Sequence, residues 1–456
     1  MSPIAPSKIR VVTESEWQTL KPTLSSADRA AAAIVAFRGQ PGGYSLFTRD
    51  GGEPRGVVAG AAVEGAGETA LRSLAARLPD GDYVLDPWPA NFDADRAAIE
   101  WAAGLYRYDR YKTDRNRDKR AGPRLVGVDS PRADAIAGAC ALARDLINTP
   151  ANDMGPADLE AAARRLAERF GAAIEVIVGG ELLERNYPAV HAVGRAAHPD
   201  RAPRMIELTW GEPGHPVLAI VGKGVVFDSG GLDIKVSAGM RWMKKDMGGA
   251  ALALALGWMI MAMRLPVRLL ILAPVVENAI SGDAMRPGDV LATRKGLFVE
   301  VGNTDAEGRL ILADALTRAA ELEPDLTIDL ATLTGAARTA LGPDVPPFFT
   351  DDEGLASDLA DASHRSGDPL WRMPLWPGYE RALDSDIADI KNDADAWAQA
   401  GSVTAALFLK RFAPAGSWAH FDVFAWNPRS RPGWPQGAEA QAVRAIFAML
   451  EKRYRA

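Results

Sequence analysis

The chain has 456 residues, 48% of them apolar and 24% charged, with a net charge of −7. That length supports two or three domains with cores of their own, and the composition excludes a disordered chain. The acidic balance offers no basic stripe of the kind nucleic-acid binding requires, and a single cysteine, Cys140, excludes an intramolecular disulfide.

Met1–Arg10 lacks a basic region followed by an apolar core, so no secretory signal is expected. Ala31–Phe37 is a short apolar run, and Tyr44–Thr48 is expected to pair beside it. Thr69–Leu78 has helical spacing, Tyr83–Leu85 is strand-like, and Ala94–Tyr106 reads as an amphipathic helix. These elements make residues 1–130 a small α/β domain without a catalytic constellation. Arg107–Arg120 mixes Lys112, Arg115, Arg117, Lys119 and Arg120 with Asp109, Asp114 and Asp118. Mixed signs favour a solvated loop or hinge over a nucleic-acid patch. Leu125–Val128 is read as a strand. Pro131–Ile147 follows as a helix, opened by its proline and ended by Asn148-Thr149-Pro150, and residues 131–150 are taken as a connecting helix. Cys140 lies in its alanine-rich part and reads as a buried small apolar side chain rather than a nucleophile.

From residue 151 the pattern becomes regular. Pro156–Phe170 is helical. Strands are expected over Ala173–Val178, Met205–Trp210, Val217–Val221, Leu269–Val275, Leu297–Val301 and Leu326–Leu330, with helices over Ala250–Met263 and Leu310–Glu321 between several of them. The fold class is therefore α/β in two domains: the small N-terminal one, and a larger one over residues 151–456 with a central mixed, mostly parallel sheet flanked by helices. Such folds bind ligands at the carboxyl ends of their strands. The longest apolar run, Ala250–Met263, is shorter than the roughly 20 residues of a spanning helix. It reads as a buried core helix, no membrane partner is expected, and the protein is expected in the cytoplasm.

Two segments sit where a strand gives way to glycines: Val221–Lys235, continuing to Met243–Gly249, and Asn303–Leu310. Asp305 and Glu307 are two residues apart, which puts both carboxylates on one side of an extended segment, where a cation would relieve their repulsion. An acidic loop capping the helix that opens near Arg309 would also explain the pair. Asp228 and Asp246 stand at turn-like positions beside Gly230-Gly231 and Gly248-Gly249. Carboxylates at such positions, with few histidines, suit Mg²⁺ or Mn²⁺, and Zn²⁺ also fits. None of the five histidines, His191, His198, His215, His364 and His420, has ligand spacing. Lys223, beside divalent cations, would have a depressed pKa and could coordinate metal as a neutral amine. Lys235 could face a substrate carbonyl. Snorkelling to solvent would account for either lysine otherwise. The residues alone reach a divalent-metal hydrolase.

The string Lys223-Gly-Val-Val-Phe-Asp228-Ser-Gly-Gly and the string Asn303-Thr-Asp-Ala-Glu-Gly-Arg-Leu310, at their mutual spacing, resemble the defining motifs of the leucyl (cytosol) aminopeptidase family. The resemblance runs from about Pro150 to the end and includes Ala331–Ala336, Ser366–Pro369 and Gly401–Ala406; the N-terminal domain is not matched by motif. It implies two divalent ions per chain (Zn²⁺, Mn²⁺ or Mg²⁺). One would be held by Lys223, Asp228, Asp246 and Glu307, the other by Asp228, Asp305 and Glu307, with a hydroxide between them as nucleophile. It implies that Lys235 polarises the scissile carbonyl, that Arg309 holds a bicarbonate acting as general base, and that Met243, Thr332 and Gly335 line an apolar pocket for the first side chain. The implied activity is removal of N-terminal, leucine-like residues from peptide substrates by a homo-hexamer, with no nucleic acid expected.

This chain departs from the family pattern at Val236, where many relatives have proline, and over Asn392–Ala400, which replaces a more glycine-rich loop near the substrate pocket. Two other readings compete. A phosphatase or amidohydrolase could use a similar bridged site, though only Lys235 and Arg309 are candidates to hold a phosphate. A binding module that keeps the fold without catalysis is the other.

Overall fold

A computed structural model of the chain describes residues 5–49, 51–61, 67–113, 122–394 and 399–455. The expected hinge residues Asp114–Arg120, the first four residues of Met1–Arg10, and 395–398 of the Asn392–Ala400 stretch lie outside them. The chain divides into two compact units, Met1–Ala141 with Asn427–Gln436, and Leu142–Trp426 with Gly437–Ala456. The division falls inside the Pro131–Asn148 helix.

The first unit is built on strands β1 (Ser7–Val12), β2 (Tyr44–Thr48), β3 (Pro54–Gly60), β4 (Gly81–Leu85) and β5 (Pro123–Leu125), in the order β2-β3-β1-β4-β5. All neighbours are parallel except β2, an antiparallel edge. Ile9, Val57, Leu71, Leu74, Tyr83 and Trp101 form its core. Thr69–Ala75 and Ala94–Leu105 are helices as expected. The Ala31–Phe37 run is not a strand beside Tyr44–Thr48. Ser26–Ile34 is a helix, because Ser25 caps it by accepting from the Asp28 backbone N–H and its alanines favour helix. Tyr44–Thr48 pairs with β3 instead. The strand expected over Leu125–Val128 lies earlier, at Pro123–Leu125. Cys140 is half-buried.

The second unit carries the larger sheet. Its strands are β6 (Ala173–Val178), β7 (Arg204–Trp210), β8 (Val217–Gly222), β9 (Gly224–Asp228), β10 (Arg268–Asn278), β13 (Leu326–Ala331), β14 (Pro347–Phe349), β15 (Trp371–Arg372) and β17 (Ser417–Asp422). The order is β15-β14-β17-β13-β8-β10-β7-β6, with β9 continuing alongside β10. The central run β17-β13-β8-β10 is parallel, and antiparallel strands lie to either side. A smaller sheet joins β11 (Val290–Ala292), β12 (Phe298–Glu300) and β16 (Ile390–Lys391). This is the mixed, mostly parallel sheet of the sequence reading.

Two helices bring the chemistry to this sheet. Gly248–Ala262 is buried on nearly every side, as its unbroken apolar sequence requires, and packs on β8, β10 and β13. Among the described residues no helix is long and apolar enough to cross a membrane. Glu307–Ala320 packs on β8 and β10. Close approach of the Gly248–Ala262 helix to the sheet depends on glycine in its first turn and at the end of β8. A Cβ on Gly249 would lie 2.1 Å from the Leu330 carbonyl oxygen, and one on Gly222 would lie 2.6 Å from Ala250 Cα.

Candidate active site

The carboxyl ends of β8, β9 and β13 converge where these two helices begin. Lys223 stands between β8 and β9, its backbone fixed on both sides: its N–H donates to Leu330 O at 3.0 Å and its carbonyl accepts from Ala250 N at 2.8 Å. The side chain does not snorkel. It is 2% exposed and passes over Gly308, where a Cβ would come within 2.5 Å of Lys223 Cε. Its Nζ lies 2.7 Å from Asp246 Oδ2 and 2.9 Å from Glu307 Oε1, and it donates to Thr332 O at 3.1 Å.

Asp228 ends β9. Its Oδ1 accepts from Gly230 N at 2.9 Å and from Asn278 Nδ2 at 2.8 Å, leaving Oδ2 facing Lys235 Nζ at 2.8 Å. Lys235 Nζ also pairs with Asp305. Asp246 lies in a 3₁₀ turn, Met243–Met247, ahead of the apolar helix. Its Oδ1 accepts from the Thr332 hydroxyl at 2.8 Å. Asp305 and Glu307 do not lie on an extended segment: the chain turns at Thr304–Asp305 and the helix opens at Glu307. The turn nevertheless brings ligand atoms of Asp228, Asp305 and Glu307 within 4.8 Å of one another.

Five predicted residues therefore form one connected centre, with Lys235 across Asp228 and Asp305. Thr332 joins it through its hydroxyl and its carbonyl. Met243 opens the turn that carries Asp246, and Gly335 starts the next helix with open space where a Cβ would be. Arg309 is buried two residues beyond Glu307 in the same helix. Its Nη1 donates to Asn392 O at 2.5 Å, and its Nε is buried without a hydrogen-bond partner among the described residues.

Several supporting residues escaped the sequence reading. Asn278, at the end of β10, orients Asp228 and also donates to Thr304 O at 3.2 Å. Thr304 and Asp233 clip the two motif segments together: Thr304 N donates to Asp233 Oδ2 at 2.8 Å, and Asp233 N donates to Thr304 Oγ1 at 2.9 Å. Asn392 holds the Gly302–Ala306 turn, accepting from Gly302 N and donating to the Asn303 and Ala306 carbonyls. Asp422 does the same for the turn after β13, accepting from Leu333 N, Thr334 N and the Thr334 hydroxyl. Only the family-specific change over Asn392–Ala400 pointed toward one of them.

The electrostatics are those of acids crowded out of water. Burial, and then Asp228, push the Asp305 carboxyl up to about 7 and the Glu307 carboxyl up to about 8. Burial also works against Asp246, but Lys223 and Lys245 outweigh it and hold that carboxylate below its usual range. Burial opposes charge on Lys223 as well, yet Asp246, Glu307 and Asp228 keep its ammonium above the usual lysine value. Glu307 Oε2 is buried with neither a hydrogen bond nor an ion-pair partner among the described residues, and Glu307 Oε1, Asp305 Oδ1 and Asp246 Oδ2 are buried against lysine ammoniums alone. Native proteins rarely leave such atoms without donors, and a divalent cation satisfies several at once. The donor set of carboxylates and an amine fits Mg²⁺, Mn²⁺ or Zn²⁺.

Comparison with known proteins agrees over nearly the whole chain. Residues 141–447 match the family model described as "Cytosol aminopeptidase family, catalytic domain", and residues 9–121 match "M17 aminopeptidase, N-terminal domain". A probable cytosol aminopeptidase of Syntrophotalea carbinolica is 38% identical across 96% of this chain and 95% of its own. The crystal structure of a cytosol aminopeptidase from Coxiella burnetii is similar at a TM-score of 0.92 and 41% identity, covering 100% of this chain and 99% of that one. The bottromycin maturation enzyme BotP in complex with Mn is similar at a TM-score of 0.86 and 32% identity, covering 99% of this chain and all of its own.

Proposed function

The chain belongs to the cytosol aminopeptidase family and is an aminopeptidase, and we propose that it removes leucine-like residues from the N-termini of peptides with the help of two divalent ions. Lys223, Asp228, Asp246 and Glu307 would hold one ion, and Asp228, Asp305 and Glu307 the other. The observation that carries this is the convergence of the Asp228, Asp305 and Glu307 carboxylates within 4.8 Å of one another, with Glu307 Oε2 buried and unpartnered among the described residues. When bound, such ions act as Lewis acids and make a water acidic enough to attack near neutral pH.

The chain's own groups have separate tasks. The carboxylates around Lys223 favour its charged form, so acting as a ligand would require that it give up a proton on metal uptake. Lys235, 15% exposed at its side chain, would turn toward a substrate carbonyl and stabilise the oxyanion that develops there. Arg309, with a buried Nε that lacks a partner, suits a small anion such as bicarbonate serving as general base. Met243, Thr332 and Gly335 would receive the first side chain, with Thr332 doing so through its methyl face because its hydroxyl is committed to Asp246.

The similarity to an Mn-bound structure supports Mn²⁺ as one candidate, and Zn²⁺ and Mg²⁺ fit the same donors. A homo-hexamer acting on peptides in the cytoplasm, without nucleic-acid or membrane partners, completes the reading; mass measurement in solution and a retardation assay test its two ends. The deciding experiment measures chelator-sensitive turnover of leucine p-nitroanilide against p-nitrophenyl phosphate, with metal counted per chain. Cleavage of the anilide with two ions bound is expected. Cleavage of the phosphate ester alone would overturn the proposal.

A further inference from the structure

The first unit holds a cavity that the chemistry proposed above does not use. In the strand order β2-β3-β1-β4-β5, the chain leaves β1 toward β2 and β3 on one side and leaves β4 toward β5 on the other. The carboxyl ends of β1 and β4 therefore flank a topological switch point, where an open α/β sheet leaves room for a ligand. The cavity stands at that point. Residues 10–13 line it from the end of β1, Ala61 from the end of β3, and residues 87–92 from the segment after β4. Its volume of about 650 Å³ lies within the roughly 300–1,000 Å³ of small-molecule sites.

Among the described residues that line it, the charged ones are Arg10 on β1 and Glu16 on the helix Glu14–Leu20. Both are exposed, and they do not pair with each other. Lys8 and Asp86 satisfy one another at 2.6 Å, whereas Arg10 has no ion pair and no side-chain hydrogen bond among the described residues. Glu16 Oε2 accepts from the Thr13 N–H at 2.7 Å and from the Thr13 hydroxyl at 2.9 Å. Those bonds fix where the carboxylate stands and give it no counter-charge. The same cavity exposes aromatic surface. Trp88 is 40% exposed and donates from Nε1 to Phe92 O at 3.3 Å. The Phe92 ring rests on Gly67, where a Cβ would come within 2.7 Å of it. Aromatic area of this kind gains by being covered.

We propose that this cavity binds a zwitterionic small molecule: an amino acid or short peptide with both termini free. Arg10 takes the carboxylate, Glu16 takes the ammonium, and Trp88 and Phe92 take an apolar side chain. A cation and an anion held apart favour a ligand that carries the opposite pair, and disfavour one whose single charge would face its like. No bond is made or broken there. The site is separate from the centre built on Asp228, Asp305 and Glu307, and its occupancy does not depend on the reading of that centre.

The test is calorimetry on the full chain carrying Glu307→Ala, so that the probe is not consumed. The probes are leucylphenylalanine and its N-acetyl amide, which carries neither charge. The free dipeptide is expected to bind and the blocked one to bind far more weakly. Adding Arg10→Gln or Glu16→Gln should each weaken the free dipeptide roughly tenfold, as loss of a charged hydrogen bond does, and Arg10→Lys should keep most of the affinity. Glutamine at position 16 can still accept from the Thr13 N–H, so an unchanged unfolding midpoint separates loss of charge from loss of the helix. Trp88→Ala should weaken leucylphenylalanine more than diglycine. If Glu307→Ala folds poorly, the chelator-treated full chain gives the same comparison. Absence of binding, equal binding of the blocked peptide, or a free-dipeptide signal unmoved by both Arg10→Gln and Glu16→Gln would overturn the proposal.

Discussion

The two units use parallel strands in the same way and reach different ends. In the first, the carboxyl ends of β1, β3 and β4 surround a cavity of about 650 Å³ lined by Arg10, Thr13, Glu16, Trp88 and Phe92 among others. That unit has exposed ion pairs, Lys8 with Asp86 and Arg124 with Asp82, and one with a buried member, Arg96 with Glu68, but no cluster of acids drawn together among the described residues. In the second, the carboxyl ends of β8, β9 and β13 carry pairs whose side chains are 3% exposed or less, such as Lys223 with Asp246 and Glu307. Among the described residues, the group of acids that could hold an ion is Asp228, Asp305 and Glu307, in the second unit. An α/β sheet offers a place at its strand ends, but the chemistry there comes from several charges withdrawn from water and crowded together.

That contrast can be broken at its strongest point first. Glu307→Ala and Lys223→Ala should each reduce turnover to background and lower bound metal, measured by kinetics and metal analysis on the same preparation; near-normal turnover with two ions per chain would undo the ligand assignment. Arg309→Ala should cost less, roughly a hundredfold in kcat, because it would place an auxiliary base rather than a ligand. Asn278→Ala removes an orienting hydrogen bond to Asp228 and should weaken metal affinity roughly tenfold, read by competition with a chelator.

A pH series sharpens the same contrast. Glu307 and Asp305 have folded-state values raised above their unfolded ones, to about 8 and about 7. The folded metal-free chain therefore holds protons that the unfolded chain has released. Its stability is fully present below the unfolded carboxylate pKa and declines as pH rises toward 8. The gain in unfolding temperature on adding Mn²⁺ should accordingly grow between pH 5 and pH 8. A gain that shrinks with rising pH would contradict this. At the smallest end, Asp82→Ala in the first unit breaks an exposed pair with Arg124 and should leave the unfolding midpoint unchanged within error.

The regular part of the second unit was legible because each element is long and cleanly patterned: Pro156–Phe170 and Ala173–Val178 begin and end where the sequence places them. The glycines and carboxylates of the centre were legible because they interrupt apolar runs. Residues that work through distant partners were not. Asn278 reaches Asp228 across 50 positions, and Asp422 reaches Leu333 across 89; nothing local marks either. The central strand β1 was missed although its residues alternate between buried and exposed, because six residues near a terminus give too short a period to stand out. The Ser26–Ile34 helix was misread because alanines suit an apolar run of either kind, and only the cap at Ser25 decides it.

Gly308 has a consequence for how this centre can change. Its missing Cβ is the space that Lys223 occupies, so positions 85 residues apart in sequence are locked as one unit of inheritance. A library that randomises either alone will recover almost nothing, because a larger residue at 308 evicts the lysine and a shorter one at 223 leaves a hollow beneath Glu307. Productive routes to a different ligand set must alter both at once, which makes this pair the place where a designer should begin.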